Sequence, residues 1–333
     1  MMRTEYPTIR MRLQHLSCGF HLWGVALLYS CMLKLATVLF LLAFVTAGHA
    51  QYIPRFDVQG HRGARGLKPE NSIPAFLTAL DYGVTTLELD LAVTSDRRLV
   101  VSHEPWMSAA ICLTPDGKPI SRSREKAYNI YEMTYEEVAA FDCGSRGNKA
   151  FPDQQPMPVS KPLLRDVIAA VEDHIRSVSR YEVDYNIEIK SSPDGDGKFH
   201  PPPAEFSDLV YELLDQYLPM RRVVIQSFDF RVLQYWRKKY PDVRLAALVE
   251  NAGSVSGNLK RLGFNPSIYS PYYKLVTRDM VRYLHRRGIR VIPWTVNDES
   301  DMLSLKALGV DGFITDYPDR PGKYKMTLGI TPK

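Results

Sequence analysis

Cysteine is scarce in this 333-residue chain, which contains only four. Beyond residue 50 only Cys112 and Cys143 remain, and their spacing does not match that of a zinc ligand set. This excludes a zinc finger or a zinc ribbon. In an oxidising compartment the two cysteines are free to form a disulfide, but their spacing alone leaves pairing open.

Long apolar runs are few as well. One covers residues 33–47, carries a single lysine, and is followed by the small residues Gly48 and Ala50. It is shorter than the roughly 20 residues that cross a bilayer, and small residues near its end are typical of signal-peptide cleavage. The sequence therefore predicts a leader over residues 1–50, export to a periplasm or the exterior, and no membrane span in the mature chain.

Once this leader is removed, the numbers of basic and acidic residues are nearly equal. Residues 1–50 hold four of the 42 basic residues and one of the 37 acidic ones, so the net charge falls from +5 to +2. A nucleic-acid partner therefore gains no support from composition.

The remaining chain alternates short apolar runs with amphipathic stretches. Nine strands are predicted, at 57–61, 86–93, 98–103, 185–190, 222–228, 244–250, 267–271, 289–296 and 311–315. Helices are predicted between most of them, at 73–82, 162–178, 204–217, 229–239, 254–262, 277–287 and 299–308. No GxGxxG motif follows the first strand, so the pattern favours an α/β fold of the (β/α)₈ TIM-barrel type over residues 51–323.

Some segments depart from a regular barrel. The second and third strands are too close for a crossover helix, which predicts an extended return or a hairpin. Nine strands exceed eight places, and 267–271 is the weakest of them, with a loop as the alternative interpretation. Residues 105–161 are interpreted as a subdomain inserted after the third strand that caps the catalytic end. Residues 191–203 form a second long loop, and 324–333 a C-terminal tail.

Ionisable side chains stand near the ends of the first four strands. Because the carboxyl ends of barrel strands converge on one mouth, we expect these side chains to lie close together. They are His61 and Arg62, Glu88 and Asp90, His103, and Glu188 and Lys190.

Three of these residues are carboxylates. Glu88 and Asp90 are two positions apart on one strand and point to the same side. They repel each other unless a cation lies between them or one is protonated. With Glu188 they form a set suited to one Ca²⁺ or Mg²⁺, the alternative being a structural ion pair with Arg62 or Lys190.

The other four residues are two histidines and two cations. His61 and His103 titrate near neutrality and suit acid/base catalysis, the alternative being packed histidines satisfied by hydrogen bonds. Arg62 and Lys190 suit an anionic group. Together with a metal, these side chains indicate phosphoryl chemistry.

The chain resembles the glycerophosphodiester phosphodiesterases, which are TIM barrels related to phosphatidylinositol phospholipases C. The resemblance runs from residue 57 to residue 320 and rests on GHRGARGLKPENSIPAF, ELDLAVTSDRRLVVSHE, NIEIK, QSF, PWTVN and GVDGFITDYP. It implies hydrolysis of a glycerophosphodiester to sn-glycerol 3-phosphate and an alcohol, with one Ca²⁺ or Mg²⁺. His61 and His103 would be the acid/base pair, in either order, Glu88, Asp90 and Glu188 the metal ligands, and Arg62 and Lys190 the phosphate contacts.

The resemblance also implies roles around this centre. Phe228 and Trp294 would form walls for the glycerol unit, and Glu70 would lie near the metal or orient another group. Asn297 and Asp316 would support the site, although Asp316 could equally be a helix cap.

One position departs from the family pattern, because Glu104 follows His103 where the family usually has aspartate, and we assign it no role. Three other functions remain open: a phospholipase of the C or D type acting on larger lipids, a glycosidase, and an exported binding protein without catalysis. The sequence leaves the head group and the oligomeric state open.

Met32 stands directly before the apolar run, and translation from it would give a compact signal peptide. We therefore interpret residues 1–31 as an upstream mis-start. We expect mass spectrometry of the exported protein to find Gln51 as its first residue. A peptide of the unprocessed protein that contains residues before Met32 would contradict the mis-start.

Overall fold

The structure is a computed structural model that describes residues 55–179 and 181–327. The predicted leader, including Met32, and the end of the predicted tail lie outside the described residues. Within the described part, no helix has the length and apolar character needed to cross a bilayer.

A barrel of eight parallel strands forms the centre of the described chain. Neighbouring strands pair in the order β8-β7-β6-β5-β4-β2-β1-β9. Beyond β8, the Pro293 carbonyl accepts from the Ile314 amide of β9 at 2.9 Å, which brings the two ends of the sheet together. The predicted TIM-type barrel is therefore confirmed. The strands are β1 (Asp57–Gly60), β2 (Thr86–Val93), β4 (Asp184–Ile189), β5 (Val223–Ser227), β6 (Arg244–Val249), β7 (Ile268–Pro271), β8 (Arg290–Val291) and β9 (Gly312–Thr315).

The third predicted strand, β3 (Leu99–Val101), stands outside this ring and pairs antiparallel with β2. The connection is a tight hairpin in which the Thr94 hydroxyl accepts from the Arg98 amide at 2.8 Å. The short link between the two strands predicted such a return, so His103 is delivered to the mouth by a returning strand and not by one of the parallel strands.

Of the two interpretations of residues 267–271, the structure shows the strand and not the loop. This segment is β7, and it pairs in parallel with both β6 and β8. Its four residues are all buried, so pairing on both sides stabilises a strand that is too short to show a clear pattern by itself.

Helices cover the outside of the barrel. Outward side chains of the strands, such as Leu87, Leu89 and Leu91, are buried in one large core with helical residues such as Phe76 and Leu80. The α-helices of the described chain are α1 (Ile73–Asp81), α2 (Tyr135–Ala139), α3 (Leu164–His174), α4 (Pro203–Tyr217), α5 (Phe230–Lys239), α6 (Val255–Leu262), α7 (Arg278–His285), α8 (Glu299–Leu308) and α9 (Asp319–Gly322).

The segment between β3 and α3 packs around a second hydrophobic core, to which Ala92 of β2 and Val100 of β3 also contribute. Buried residues such as Met107, Ile130 and Val138 pack together there. The segment contains α2 and two short 3₁₀ turns, and a disulfide joins Cys112 to Cys143 inside the same core. A cross-link therefore holds a segment that has little regular secondary structure.

Replacing Cys112 and Cys143 by alanine should lower the free energy of unfolding by about 2–4 kcal/mol, because it opens a loop spanning 31 residues in the unfolded chain. Urea denaturation without reductant measures the change. Dithiothreitol should shift wild type toward the variant and leave the variant unchanged. Equal stability of the two oxidised proteins would contradict the prediction.

Candidate active site

A cavity of about 200 Å³ opens at the carboxyl ends of the barrel strands. It brings together eight of the residues that the sequence singled out. They are His61, Arg62, Glu88, His103, Glu188, Lys190, Phe228 and Trp294.

Three buried carboxylates meet beside this cavity. Glu88, Asp90 and Glu188 each place an oxygen within 4.8 Å of the other two. Burial and the charges of Asp90 and Glu188 raise the pKa of Glu88 well above its usual value. When all three carboxylates are ionised, they repel one another and need positive charge nearby to compensate.

One oxygen of the cluster is buried without a hydrogen bond and is suited to a cation. Oδ2 of Asp90 accepts from the Asn71 amide at 2.9 Å, whereas its buried Oδ1 has no hydrogen-bond donor. Lys190 Nζ lies 3.3 Å from that Oδ1 and 2.9 Å from Glu188 Oε1, so it neutralises part of the charge. Three carboxylates with an unsatisfied oxygen fit the all-oxygen coordination of Ca²⁺ or Mg²⁺.

Hydrogen bonds across the barrel interior hold Glu88 in place. The Gln226 side chain donates to its Oε1 at 2.7 Å, and the Arg62 backbone amide donates to its Oε2 at 2.8 Å. Asn186 donates in turn to the Gln226 side-chain oxygen at 2.9 Å. Gln226 is a supporting residue that the sequence analysis missed, although it is the first residue of the quoted QSF motif.

Arg62 is fixed by carboxylates on two sides. Its guanidinium donates to Glu70 at 2.7 Å, and its Nε lies 3.4 Å from Asp90. Burial opposes ionisation of Glu70, but Arg62 and Arg65 outweigh it and lower the pKa of Glu70. Glu70 is therefore an ionised hydrogen-bond partner of Arg62.

His61 pairs with a carboxylate that follows the last strand. Its Nδ1 lies 2.7 Å from Asp316, which also accepts from Arg65 at 2.7 Å and from the Asn297 side chain at 2.8 Å. Burial first, and then the charge of Arg65, lower the pKa of His61 to about 4. The ring is therefore neutral near pH 7. Because Asp316 can only accept, Nδ1 carries the proton and Nε2 is free to accept one.

His103 has a carboxylate partner of its own. Its Nδ1 lies 2.8 Å from Glu104, the residue to which the sequence analysis gave no role. Burial opposes ionisation of Glu104, but the hydrogen bond and charge of His103, followed by the charge of Lys161, lower its pKa to about 2. The Nζ of Lys161 donates to the Ser102 hydroxyl at 2.8 Å. The sequence analysis did not single out Lys161.

Aromatic rings form one side of the cavity. Phe228 and Trp294 meet edge to face with centroids 5.3 Å apart. Trp294 donates from Nε1 to the Ser270 carbonyl at 2.9 Å, which fixes its ring, while Phe228 is 40% exposed at the rim. The two residues lie where a wall for a small organic group was expected.

The site combines two histidine–carboxylate pairs, three buried carboxylates and two cations at the mouth of a TIM barrel. Groups for proton transfer and groups for charge stabilisation thus surround a cavity large enough for a phosphate and a small substituent. These features define a phosphoric diester hydrolase.

The chain belongs to the glycerophosphoryl diester phosphodiesterase family, whose sequence pattern matches residues 61–320. It is 29% identical to a glycerophosphodiester phosphodiesterase of Bacillus altitudinis, over 80% of this chain and 97% of the relative. It is 26% identical to a human lysophospholipase D, over 81% of this chain and 86% of the relative. The expected family membership is confirmed.

Solved structures agree with this fold. A Silicibacter pomeroyi protein assigned to the glycerophosphoryl diester phosphodiesterases superposes with a TM-score of 0.72 and 28% identity, over 85% of this chain and 97% of that one. An Oleispira antarctica phosphodiesterase, solved with its product sn-glycerol-3-phosphate, superposes with a TM-score of 0.62 and 22% identity. It covers 79% of this chain and 94% of its own, and at that identity it supports the fold alone.

Replacing Asp316 by asparagine should lower kcat on a glycerophosphodiester by about 10²–10⁴-fold, because an amide no longer holds the proton of His61 on Nδ1. Steady-state kinetics measure the loss. The matched control is Asp81→Asn, which alters a second histidine–aspartate pair, with His174 at 2.9 Å, whose aspartate is exposed. Equal activity of Asp316→Asn and Asp81→Asn would contradict a role for Asp316.

Proposed function

We propose that this protein is an exported, metal-dependent enzyme that hydrolyses glycerophosphodiesters to sn-glycerol 3-phosphate and an alcohol. The observation that carries the proposal is one cavity lined by a neutral His61, a second histidine and two of three clustered carboxylates. Membership of the family supplies the substrate class.

Glu88, Asp90 and Glu188 would hold one divalent cation, Ca²⁺ or Mg²⁺. When bound, such an ion stabilises negative charge on the phosphate oxygens. Lys190 lines the cavity, and its side chain is 18% exposed, so it can contact a phosphate directly. Arg62 contributes fixed positive charge from a position set by Glu70.

His61 is the general base in this mechanism. Its Nε2 is free, and its ring is neutral near pH 7. It takes the proton from the nucleophile, which is either the glycerol 2-hydroxyl, leading to a cyclic phosphate, or a water molecule. Asp316 then stabilises the imidazolium through the hydrogen bond to Nδ1.

His103 is the general acid. It lines the catalytic cavity and also a neighbouring cleft of about 490 Å³, whereas His61 lines the catalytic cavity and not this cleft. A leaving alcohol that departs into the cleft would pass His103. Glu104 at 2.8 Å from Nδ1 orients the ring, and Nε2 is the atom that gives a proton to the leaving oxygen.

Export is supported by the leader-like sequence over residues 1–50 and by the disulfide between Cys112 and Cys143. Disulfides persist mainly in oxidising compartments such as a periplasm or the cell exterior. We therefore place the enzyme there.

The second candidate function is that of a lysophospholipase D. The size of the neighbouring cleft and the name of the human relative favour it. A lysophospholipid, however, carries an acyl chain on the glycerol, and the catalytic cavity of about 200 Å³ beside Phe228 and Trp294 has little room for one. The size of the catalytic cavity therefore favours a substrate whose glycerol unit carries no acyl chain.

Purified residues 51–333 should release glycerol 3-phosphate from glycerophosphocholine, lose this activity in EDTA and recover it with Ca²⁺ or Mg²⁺, because the carboxylate cluster needs a cation. An enzymatic assay for glycerol 3-phosphate measures the release. Lysophosphatidylcholine serves as the comparison substrate. Activity on the lysolipid alone would overturn the proposal in favour of the phospholipase, and full activity in EDTA would overturn its metal dependence.

A further inference from the structure

The cleft of about 490 Å³ beside the catalytic cavity has no role in the chemistry described so far. The two cavities share four lining residues, His103, Glu188, Lys190 and Phe228. A phosphate bound at this shared wall would extend one ester group into each cavity. If the glycerol unit occupies the smaller cavity, as the proposed function requires, the leaving alcohol lies in the cleft.

Two aromatic rings from different segments form part of the cleft wall. Trp106 belongs to the inserted segment, Phe199 belongs to the loop between β4 and α4, and their centroids lie 5.4 Å apart, edge to face. The segments are tied together by the buried Asn129, whose side chain donates to the Lys198 carbonyl at 2.8 Å. The rings are therefore held in a defined geometry.

A lysine ammonium group already lies over each of these two rings. Lys126 Nζ lies 5.0 Å from the centroid of Trp106, and Lys198 Nζ lies 5.1 Å from that of Phe199. A quaternary ammonium group binds through open aromatic faces. Here it would compete for the ring faces with two ammonium groups of the same charge, so the aromatic wall of the cleft disfavours choline.

The rest of the cleft offers both donors and acceptors. Lys126 can donate, Asp194 can accept, the Ser192 hydroxyl can do either, and the Ser191 hydroxyl, which donates to Asp229 at 2.7 Å, can accept. Nε1 of Trp106 is buried and has no hydrogen-bond partner in the described chain. An uncharged polyol can satisfy groups of both kinds and can pack its C–H face on the rings.

We propose that this cleft is the binding site for the leaving alcohol and that it selects an uncharged polyol, of the size of glycerol or inositol, over a quaternary ammonium alcohol. The inference rests on the proposed function. Lys126 is the specificity-determining residue, because it places a positive charge on the cleft wall without touching the reacting atoms.

The experiment compares kcat/KM for glycerophosphoinositol and glycerophosphocholine in wild type and in Lys126→Gln, with the divalent cation supplied. Wild type should prefer the inositol diester. The variant should reduce that preference about 2- to 5-fold, the range expected when one cation near an exposed aromatic face is removed. Each substrate has the same intrinsic reactivity in both enzymes, so the change in the ratio reports on the cleft.

The matched control is Lys118→Gln. Lys118 lies in the same inserted segment and is 77% exposed, but it pairs with Asp116 away from the cleft. Its substitution should leave the ratio unchanged. A wild-type preference for choline, an unaltered ratio in Lys126→Gln, or an equal change in Lys118→Gln would overturn the inference while the proposed function stands. Turnover of neither diester would overturn the proposed function and the inference with it.

Discussion

The structure of the site depends on the repulsion between Glu88, Asp90 and Glu188, which are buried within 4.8 Å of one another. Three negative charges in so small a volume are stable only if positive charge surrounds them. Arg62 and Lys190 supply part of it, and the remaining deficit is the reason to place a divalent cation here. Glu70 fixes Arg62, while Asn71 and Gln226 fix the carboxylates themselves.

Much of the fold could be predicted from the sequence because a TIM barrel repeats one simple unit. Strands such as β2 and β4 are buried on both faces and appear as clear apolar runs, interrupted only where a carboxylate points into the mouth. The status of β7 could not be resolved in this way. It depends on pairing with β6 and β8, which lie elsewhere in the chain, and no local pattern contains that information.

The site residues also fall into two groups, those that a local pattern predicts and those that only the folded chain brings together. Residues that point from strand ends into the mouth, such as His61 and Glu88, were predicted because their position along a strand sets where they meet. The partners of the histidines were harder to assign. Asp316 reaches His61 across 255 positions, and only closure of the barrel brings the two together. Glu104 was available in the sequence beside His103, but its role depends on a side-chain rotation that sequence does not specify.

The inserted segment begins directly after the His103–Glu104 pair and contributes Trp106 and Lys126 to the outer cleft. It packs around a second core and has its own cross-link, whereas the carboxylate cluster lies entirely on barrel strands. The parts that break a phosphodiester and those that contact its departing alcohol thus come largely from separable units. Exchange of this one contiguous segment between relatives could change which substrates are accepted while the reaction itself is inherited intact.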